Sequence, residues 1–342
     1  MEYNWRLLKE PLLAWYIKEH RNLPWRDTND PYHVWLSEIM LQQTRVEAVK
    51  DYYHRFLLEC PDVEHLALLS EERLLKLWEG LGYYNRAVNL KKTAHIIVKE
   101  YNGEFPSDYN DLLSLPGIGE YTAGAISSIC FGKPVPAVDG NVLRVMTRLS
   151  DWHVIIDDMK TKRQAKEYLT ELYQEGDCGL LTQSLMELGA MVCIPNGTPK
   201  CSLCPLKDYC KAFQYKNFNE LPLRKEKKKR KKVEKTVFIL DVNGLYGIRK
   251  RPKNGLLANM WEFPNIDVKM TTEEALRYVS EQGLEPVDIN KMIPYTHIFT
   301  HVEWNMTAYY ISCTNKITNL EWVEAECFKN QYPLPTAFKV FL

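Results

Sequence analysis

The stretch Leu115-Pro116-Gly117-Ile118-Gly119-Glu120-Tyr121-Thr122-Ala123 constrains this chain more than any other. Pro116 lacks an amide donor and stops the helical pattern of residues 108–115, and the two glycines let the backbone turn tightly before a second helix starts. Helices joined so closely leave N–H groups free at the start of the second, where the helix dipole adds positive potential. The joint is either plain architecture or a seat for an anion such as a phosphate. Further on, Val135-Pro136-Ala137-Val138-Asp139-Gly140-Asn141 places an acid just ahead of another helical run. A carboxylate beside an anion seat is unfavourable unless it has a chemical task.

Helical periodicity surrounds this joint. It covers residues 4–20 through Trp5, Leu8, Leu12, Leu13 and Tyr16, breaks at Arg21-Asn22-Leu23-Pro24-Trp25-Arg26, and resumes at Pro31, a residue suited to a first helical turn. This helix carries Ser37-Glu38-Ile39-Met40-Leu41-Gln42-Gln43-Thr44. Glu38 is the one acid between Asp30 and Glu47, with Trp35, Leu36, Ile39, Met40 and Leu41 around it. It is either a glutamate on a solvated face or a buried carboxyl that keeps its proton, as a general acid must. Further helices are expected near 62–68, 71–80 and 85–101, and the pattern continues to residue 192 without strand-like alternation. Between the last two lies Gly80-Leu81-Gly82-Tyr83-Tyr84-Asn85-Arg86, whose paired tyrosines suit the edge of a core or a blade that parts stacked bases.

Nine cysteines are many for a cytosolic enzyme, and four of them fall in Cys193-x7-Cys201-x2-Cys204-x5-Cys210, on a stretch broken by Pro195, Gly197, Pro199 and Pro205. Four thiols so close suit a four-thiolate metal centre, and their spacing leaves zinc and a [4Fe-4S] cluster both open. Cys60, Cys130, Cys178, Cys313 and Cys327 lie among apolar residues and are expected to be packed thiols. Residues 224–235 then hold nine basic side chains against Glu226 and Glu234, in a chain whose net charge is zero. Such a run is a solvated linker or a contact for nucleic acid. Beyond it, Thr236–Val242, Leu245–Arg249 and Val302–Ser312 are β-rich and Thr271–Gln282 is helical.

At 342 residues and 45% apolar composition the chain can bury two cores. The expected organisation is multidomain, α plus α/β: an all-α domain over 1–218 with the cysteine loop at 193–210, a basic linker over 219–235, and an α/β domain over 236–342. No run of about 18 apolar residues spans a membrane, and Met-Glu-Tyr-Asn-Trp-Arg lacks a secretory core, so a cytoplasmic protein is expected.

Leu23-Pro24-Trp25-Arg26, Ser37-Glu38, Leu41-Gln42-Gln43-Thr44, Gly80-Leu81-Gly82-Tyr83-Tyr84, the Pro-Gly-Ile-Gly joint, Val138-Asp139-Gly140-Asn141, the four cysteines and Trp261-Glu262-Phe263-Pro264 together resemble the MutY-type adenine DNA glycosylases, in the helix-hairpin-helix superfamily of endonuclease III. The resemblance implies a hairpin that grips a DNA phosphate through Gly117 and Gly119. It implies excision of adenine mispaired with 8-oxoguanine or guanine in double-stranded DNA, after the base has been flipped from the stack. Glu38 would protonate adenine at N7, and Asp139 would stabilise the electron-poor sugar, electrostatically or through an adduct. Relatives that also nick the strand carry Lys where this chain has Tyr121. A phenol forms no Schiff base, so a monofunctional enzyme is implied, with the Tyr121 hydroxyl orienting Asp139.

By the same resemblance, Asn141 supports that carboxylate, Trp25 and Arg26 line the adenine pocket, and Gln43 and Tyr83 fill or wedge the duplex. Cys193, Cys201, Cys204 and Cys210 would hold a [4Fe-4S] cluster. Their first interval is one residue longer than the family's six, with Asn196-Gly197 free to bulge, and Lys200 and Lys207 would lie near phosphates. The C-terminal domain resembles a Nudix fold that keeps one of three metal-binding acids, which favours a lesion reader over a hydrolase. Its Phe299-Thr300-His301 stands where the family has Phe-Ser-His. Thr keeps the hydroxyl but adds a methyl. A monomer without membrane contact, nucleoid-associated in a bacterium, completes the expectation.

Overall fold

Short polar side chains start the helices where the apolar periodicity begins. In the computed structural model, which describes residues 3–174, 176–226 and 229–342, a 3₁₀ turn at Trp5–Leu8 leads into α1 (Lys9–Glu19). There follow α2 (Pro31–Leu41), α3 (Val46–Glu59), α4 (Val63–Leu68), α5 (Glu71–Leu77), α6 (Asn85–Glu100), α7 (Tyr109–Ser114), α8 (Glu120–Ile129), α9 (Gly140–Ser150), α10 (Met159–Tyr173), α11 (Cys178–Met191) and α12 (Lys211–Tyr215). Asp30 caps α2 by accepting from the Tyr32 amide at 2.8 Å, with Pro31 in the first turn, and Asp108 caps α7 by accepting from the Asn110 amide at 2.7 Å. Among the described residues no helix is long and apolar enough to cross a membrane.

The chain divides into two compact units: Met1–Ala67 with Asn89–Glu226, and Leu68–Val88 with Lys227–Leu342. Residues 68–88, expected within the helical domain, are grouped by their contacts with the C-terminal residues. The reason is long-range: the Glu79 carboxylate accepts from the Leu334 amide at 2.8 Å, and Lys76 Nζ donates to the Phe328 carbonyl at 2.6 Å.

In the first unit, Leu12, Val142, Met146, Leu169, Leu181 and Leu185 join one core. A smaller cluster of Val34, Ala125, Ile129, Ala137 and Met186 packs α2, α8 and α11 together, with the Tyr121 ring against it. The α7–α8 joint has the tight form expected, but only one glycine is conformationally required. Gly117 has φ +78, and a Cβ there would stand 2.8 Å from Asn89 Cβ. Gly119 is ordinary extended backbone with open space around it; it forms the N-cap of α8 and supplies no side-chain acceptor.

The second unit holds a seven-stranded sheet with the path β3-β2-β1-β6-β5, formed by β1 (Lys231–Val242), β2 (Leu245–Lys250), β3 (Trp261–Glu262), β4 (Asn265–Ile266), β5 (Pro286–Ile298), β6 (Val302–Cys313) and β7 (Glu321–Glu324). β1 and β6 pair in parallel from Lys231↔Val302 to Asp241↔Ser312. The sheet is buried on both faces: Val237 and Ile239 enter one cluster with Trp304 and Phe338, and Phe238 and Leu240 enter the other with Val279. Helix α13 (Thr272–Glu281) begins with a capping box between Thr271 and Glu274, and the short α14 (Cys327–Asn330) and α15 (Thr336–Lys339) end the chain. The strand begins at Lys231, so the last five residues of the expected linker belong to β1. Lys227 and Lys228 of the basic run lie outside the described residues.

Candidate active site

Helix α2 is buried on nearly every side, and Glu38 goes down with it, at 5% exposure. The solvated-face reading of Glu38 is thereby excluded. Tyr121, in the first turn of α8, donates its hydroxyl to Glu38 Oε2 at 2.7 Å. Burial pushes the Glu38 carboxyl up from its ordinary range; the Tyr121 donor and the nearby Arg26 charge pull it back, and Asp139 adds to the rise. Burial, with Glu38 and Asp139 nearby, holds the Tyr121 phenol well above its usual value, so it serves as a donor.

Asp139 is the N-cap of α9. One of its oxygens accepts from the amides of Asn141 at 2.9 Å and Val142 at 2.8 Å, and the other from Asn141 Nδ2 at 2.8 Å. Burial raises this carboxyl as well, against three N–H donors and Arg144 that favour its anion. Asn141 is held in turn by Arg144, whose Nη2 donates to Asn141 Oδ1 at 3.0 Å and to the Gly189 carbonyl at 2.8 Å, and whose Nε donates to the Cys193 carbonyl at 2.8 Å. The α9–α11 approach needs a glycine there, because a Cβ on Gly189 would stand 2.9 Å from Asn141 Cβ. The expectation that Tyr121 orients Asp139 is corrected: its hydroxyl reaches Glu38, and Asn141 holds Asp139. Asp139 also has a structural task, the helix cap, that the sequence reading did not consider.

Beside Tyr121, a pocket of about 300 Å³ opens between the start of α8, Pro136 and Val138, and α10, with Lys162 and Lys166 on its wall. Gln43 is exposed at the end of α2, in the left-handed region at φ +59. A long side chain held there is strained and aimed outward. Trp25 is buried, edge-on to Tyr53 at 5.3 Å. Arg26 Nη2 lies 3.7 Å from the buried Glu187 carboxylate, which also accepts from Arg21 Nε at 2.6 Å and Nη2 at 3.0 Å. Despite a burial push upward, these arginines hold Glu187 below the usual range. Glu187 and Arg144 were missed by the sequence reading. Glu187 carried the same signal as Glu38, a single acid in an apolar helix.

Cys193, Cys201, Cys204 and Cys210 line one cavity with Arg148, Leu149 and Phe213. Burial first, then the Cys193, Cys210 and Cys201 thiols, push Cys204 up to about 12. Arg148, 5% exposed, donates Nη1 to Cys193 Sγ at 3.4 Å and to the Ile194 carbonyl at 3.0 Å. Among the described residues no group of three or more His, Cys, Asp or Glu side chains is arranged to hold a metal ion. The donor set still fits a polynuclear group: four thiols line one cavity, and a cationic centre would take them as thiolate ligands. Of the other five cysteines, Cys60, Cys178 and Cys313 are buried and Cys130 and Cys327 half-buried.

In the second unit, Tyr83, Phe299, Thr300 and His301 come together around a pocket of about 720 Å³. Phe299 stacks edge-on to Trp304 at 4.8 Å and His297 at 4.5 Å, which fixes the β5–β6 turn. Tyr83 is 46% exposed with φ +47, and its hydroxyl hydrogen-bonds Thr300 Oγ1.

Residues 36–173 match the HhH-GPD superfamily of base excision DNA repair proteins, and residues 236–342 match a NUDIX domain. An adenine DNA glycosylase of Buchnera aphidicola subsp. Schizaphis graminum is 38% identical over 78% of this chain and 77% of its own length. The enzyme of the same name from Buchnera aphidicola subsp. Acyrthosiphon pisum is 34% identical over 86% and 83%. The structure of a thermostable thymine-DNA glycosylase superposes with a TM-score of 0.56 at 29% identity, over 61% of this chain and 96% of that one. With a helix-hairpin-helix unit, a NUDIX unit and relatives of this identity over most of its length, the chain belongs to the MutY-type adenine DNA glycosylases, hydrolases acting on N-glycosyl bonds.

Proposed function

We propose that this enzyme removes adenine mispaired with 8-oxoguanine or guanine in duplex DNA, without cutting the strand. The observation that carries the proposal is the Glu38–Tyr121–Asp139 grouping: two carboxyls, of which Asp139 adds to the upward push on Glu38, one with a single donor in an apolar site, the other with three N–H donors at a helix start. The C1′–N9 bond of a flipped adenosine breaks with its electron pair passing to the base, whose N7 takes the proton of Glu38. The cationic sugar is stabilised by the Asp139 anion until water adds at C1′ and gives up a proton. Position 121 offers a phenol and no amine, which supports a monofunctional reaction. The α8 start, with free amides behind Gly119 and with Lys162 and Lys166 nearby, suits a backbone phosphate.

Cys193, Cys201, Cys204 and Cys210 would hold a [4Fe-4S] cluster, which when bound fixes the 193–210 loop as a rigid support. Arg148 meanwhile orders Cys193 and Ile194. In the second unit, the pocket of Tyr83, Phe299, Thr300 and His301 would read the base opposite the adenine. Duplexes with adenine opposite 8-oxoguanine test the whole assignment. Cleavage of the adenine strand only after alkali is the expected result. Spontaneous nicking means a lyase, and tight binding without product means a lesion-binding protein.

A further inference from the structure

The turn that carries Tyr83 is fastened from behind. Glu79, just ahead of it, has a nearly enclosed side chain that accepts from Lys76 Nζ at 2.7 Å, Lys339 Nζ at 3.1 Å and the Leu334 amide at 2.8 Å. Lys76 Nζ donates in addition to the carbonyls of Phe328 at 2.6 Å and Tyr332 at 3.4 Å. Further out, Lys250 Nζ meets Glu72 at 2.8 Å and Asn259 Nδ2 meets Glu71 at 2.6 Å. The end of α5 is thus tied to the segment from α14 to α15.

The turn itself is stiff. Trp78 Nε1 donates to the Gly82 carbonyl at 3.1 Å, Arg86 Nη2 to the carbonyls of Leu81 and Gly82 at 3.1 Å each, and the Gly80 amide to Tyr84 Oη at 3.3 Å. A shift at Glu79 is therefore passed on to Tyr83 and not absorbed in between. Pro335, Thr336 and Ala337, which follow Leu334, line the same pocket as Tyr83 and Thr300. Both walls of the pocket hang from one anchor.

We infer that Glu79 is a positioning residue for lesion discrimination: its carboxylate, held by Lys76, Lys339 and Leu334, sets the spacing of Tyr83 from Thr300. This rests on the 8-oxoguanine reading proposed above. The Glu79 side chain is enclosed by its protein partners, and Glu38 and Asp139 belong to the other unit. Its loss changes which opposing base is preferred and spares the bond-breaking step.

The test is single-turnover excision of adenine opposite 8-oxoguanine and opposite guanine, with thermal melting of each variant. Glu79→Ala narrows the ratio of the two rates by roughly fivefold or more, the scale of a misplaced contact, with the rate opposite guanine near wild type. Glu79→Gln recovers part of the ratio, because the amide oxygen still accepts from Leu334. Lys339→Ala, at a half-exposed position, narrows the ratio less and leaves melting nearly unchanged. Added to Thr300→Ala, Glu79→Ala contributes little more, since both act on one spacing. Equal loss of both rates, or lowered melting with an unchanged ratio, overturns the inference. A wild-type enzyme without preference for 8-oxoguanine sinks the lesion-reading assignment and this inference with it. A wild-type preference that survives Glu79→Ala sinks this inference alone.

Discussion

Tyr121→Phe separates two roles for one hydroxyl. The ring stays packed against the cluster of Val34, Ala125 and Met186, so the change removes only the donor that reaches Glu38 Oε2 at 2.7 Å. That donor stabilises the charged carboxylate; without it the Glu38 pKa, already raised by burial, rises further. A hydrogen bond to a charged group contributes about 1.5–3 kcal/mol, and one pKa unit corresponds to about 1.4 kcal/mol. At 5% exposure solvent screens little of this, so losing the donor moves the Glu38 carboxyl further upward. On the proposed mechanism Glu38 works in its protonated form, so the alkaline limb of the pH–rate profile moves to higher pH. The acidic limb, where Asp139 takes up a proton, stays in place. Single-turnover excision from a duplex with adenine opposite 8-oxoguanine, measured across pH, reads both limbs. A stationary alkaline limb, or a displaced acidic one, refutes the reasoning and returns the hydroxyl to Asp139.

Three further outcomes follow from the same geometry. Glu38→Gln keeps the shape and the acceptor for Tyr121 but has no proton to give, so excision falls about 10²- to 10⁴-fold while binding in a gel-shift assay is retained. Gly117→Ala combines φ +78 with a Cβ 2.8 Å from Asn89 Cβ; it costs about 2–3 kcal/mol, and thermal melting should fall by about 5–10 °C. Arg144→Met leaves Asn141 Oδ1 and the carbonyls of Gly189 and Cys193 without their buried donor. It costs about 3 kcal/mol and slows excision through a loosened Asp139, as melting and single-turnover rates together would show; full activity and unchanged melting would mean that the three acceptors find other donors.

What could be read from the sequence was local. Helix starts showed at Pro31 and ahead of residue 140, and Glu38 stood out because a charged residue inside an apolar run has few innocent places to go. The identical pattern at Glu187 was passed over, and with it the arginine pair that neutralises a second buried acid. Strand β5 was not legible at all. Its exposed edge carries Asp288, Asn290, Lys291 and Pro294, which break the alternation, and its extended form comes from pairing with β6. The grouping of residues 68–88 was hidden for a related reason: Lys76 and Glu79 look like any surface pair on a short helix until residues 328–339 fold against them. The partner of the Tyr121 hydroxyl lies 83 positions away, and no spacing rule distinguishes Glu38 from Asp139 as its acceptor.

The two carboxyls also show how one fold gives neighbouring acids different donors. Burial raises both, so burial alone cannot assign the acid and the anion. The difference lies in the donors. Glu38, on an apolar helix face, receives one side-chain hydroxyl. Asp139 receives two backbone amides and one side-chain amide, fixed by the start of α9 and by Arg144 behind Asn141. A helix start supplies amides that need an acceptor in any case, so Asp139 stabilises the fold as a cap in the same geometry that favours its charge. The donors therefore favour the anion more strongly at Asp139 than at Glu38. On the proposed mechanism, that asymmetry in donors lets two chemically similar side chains divide protonation of a base from stabilisation of a sugar cation.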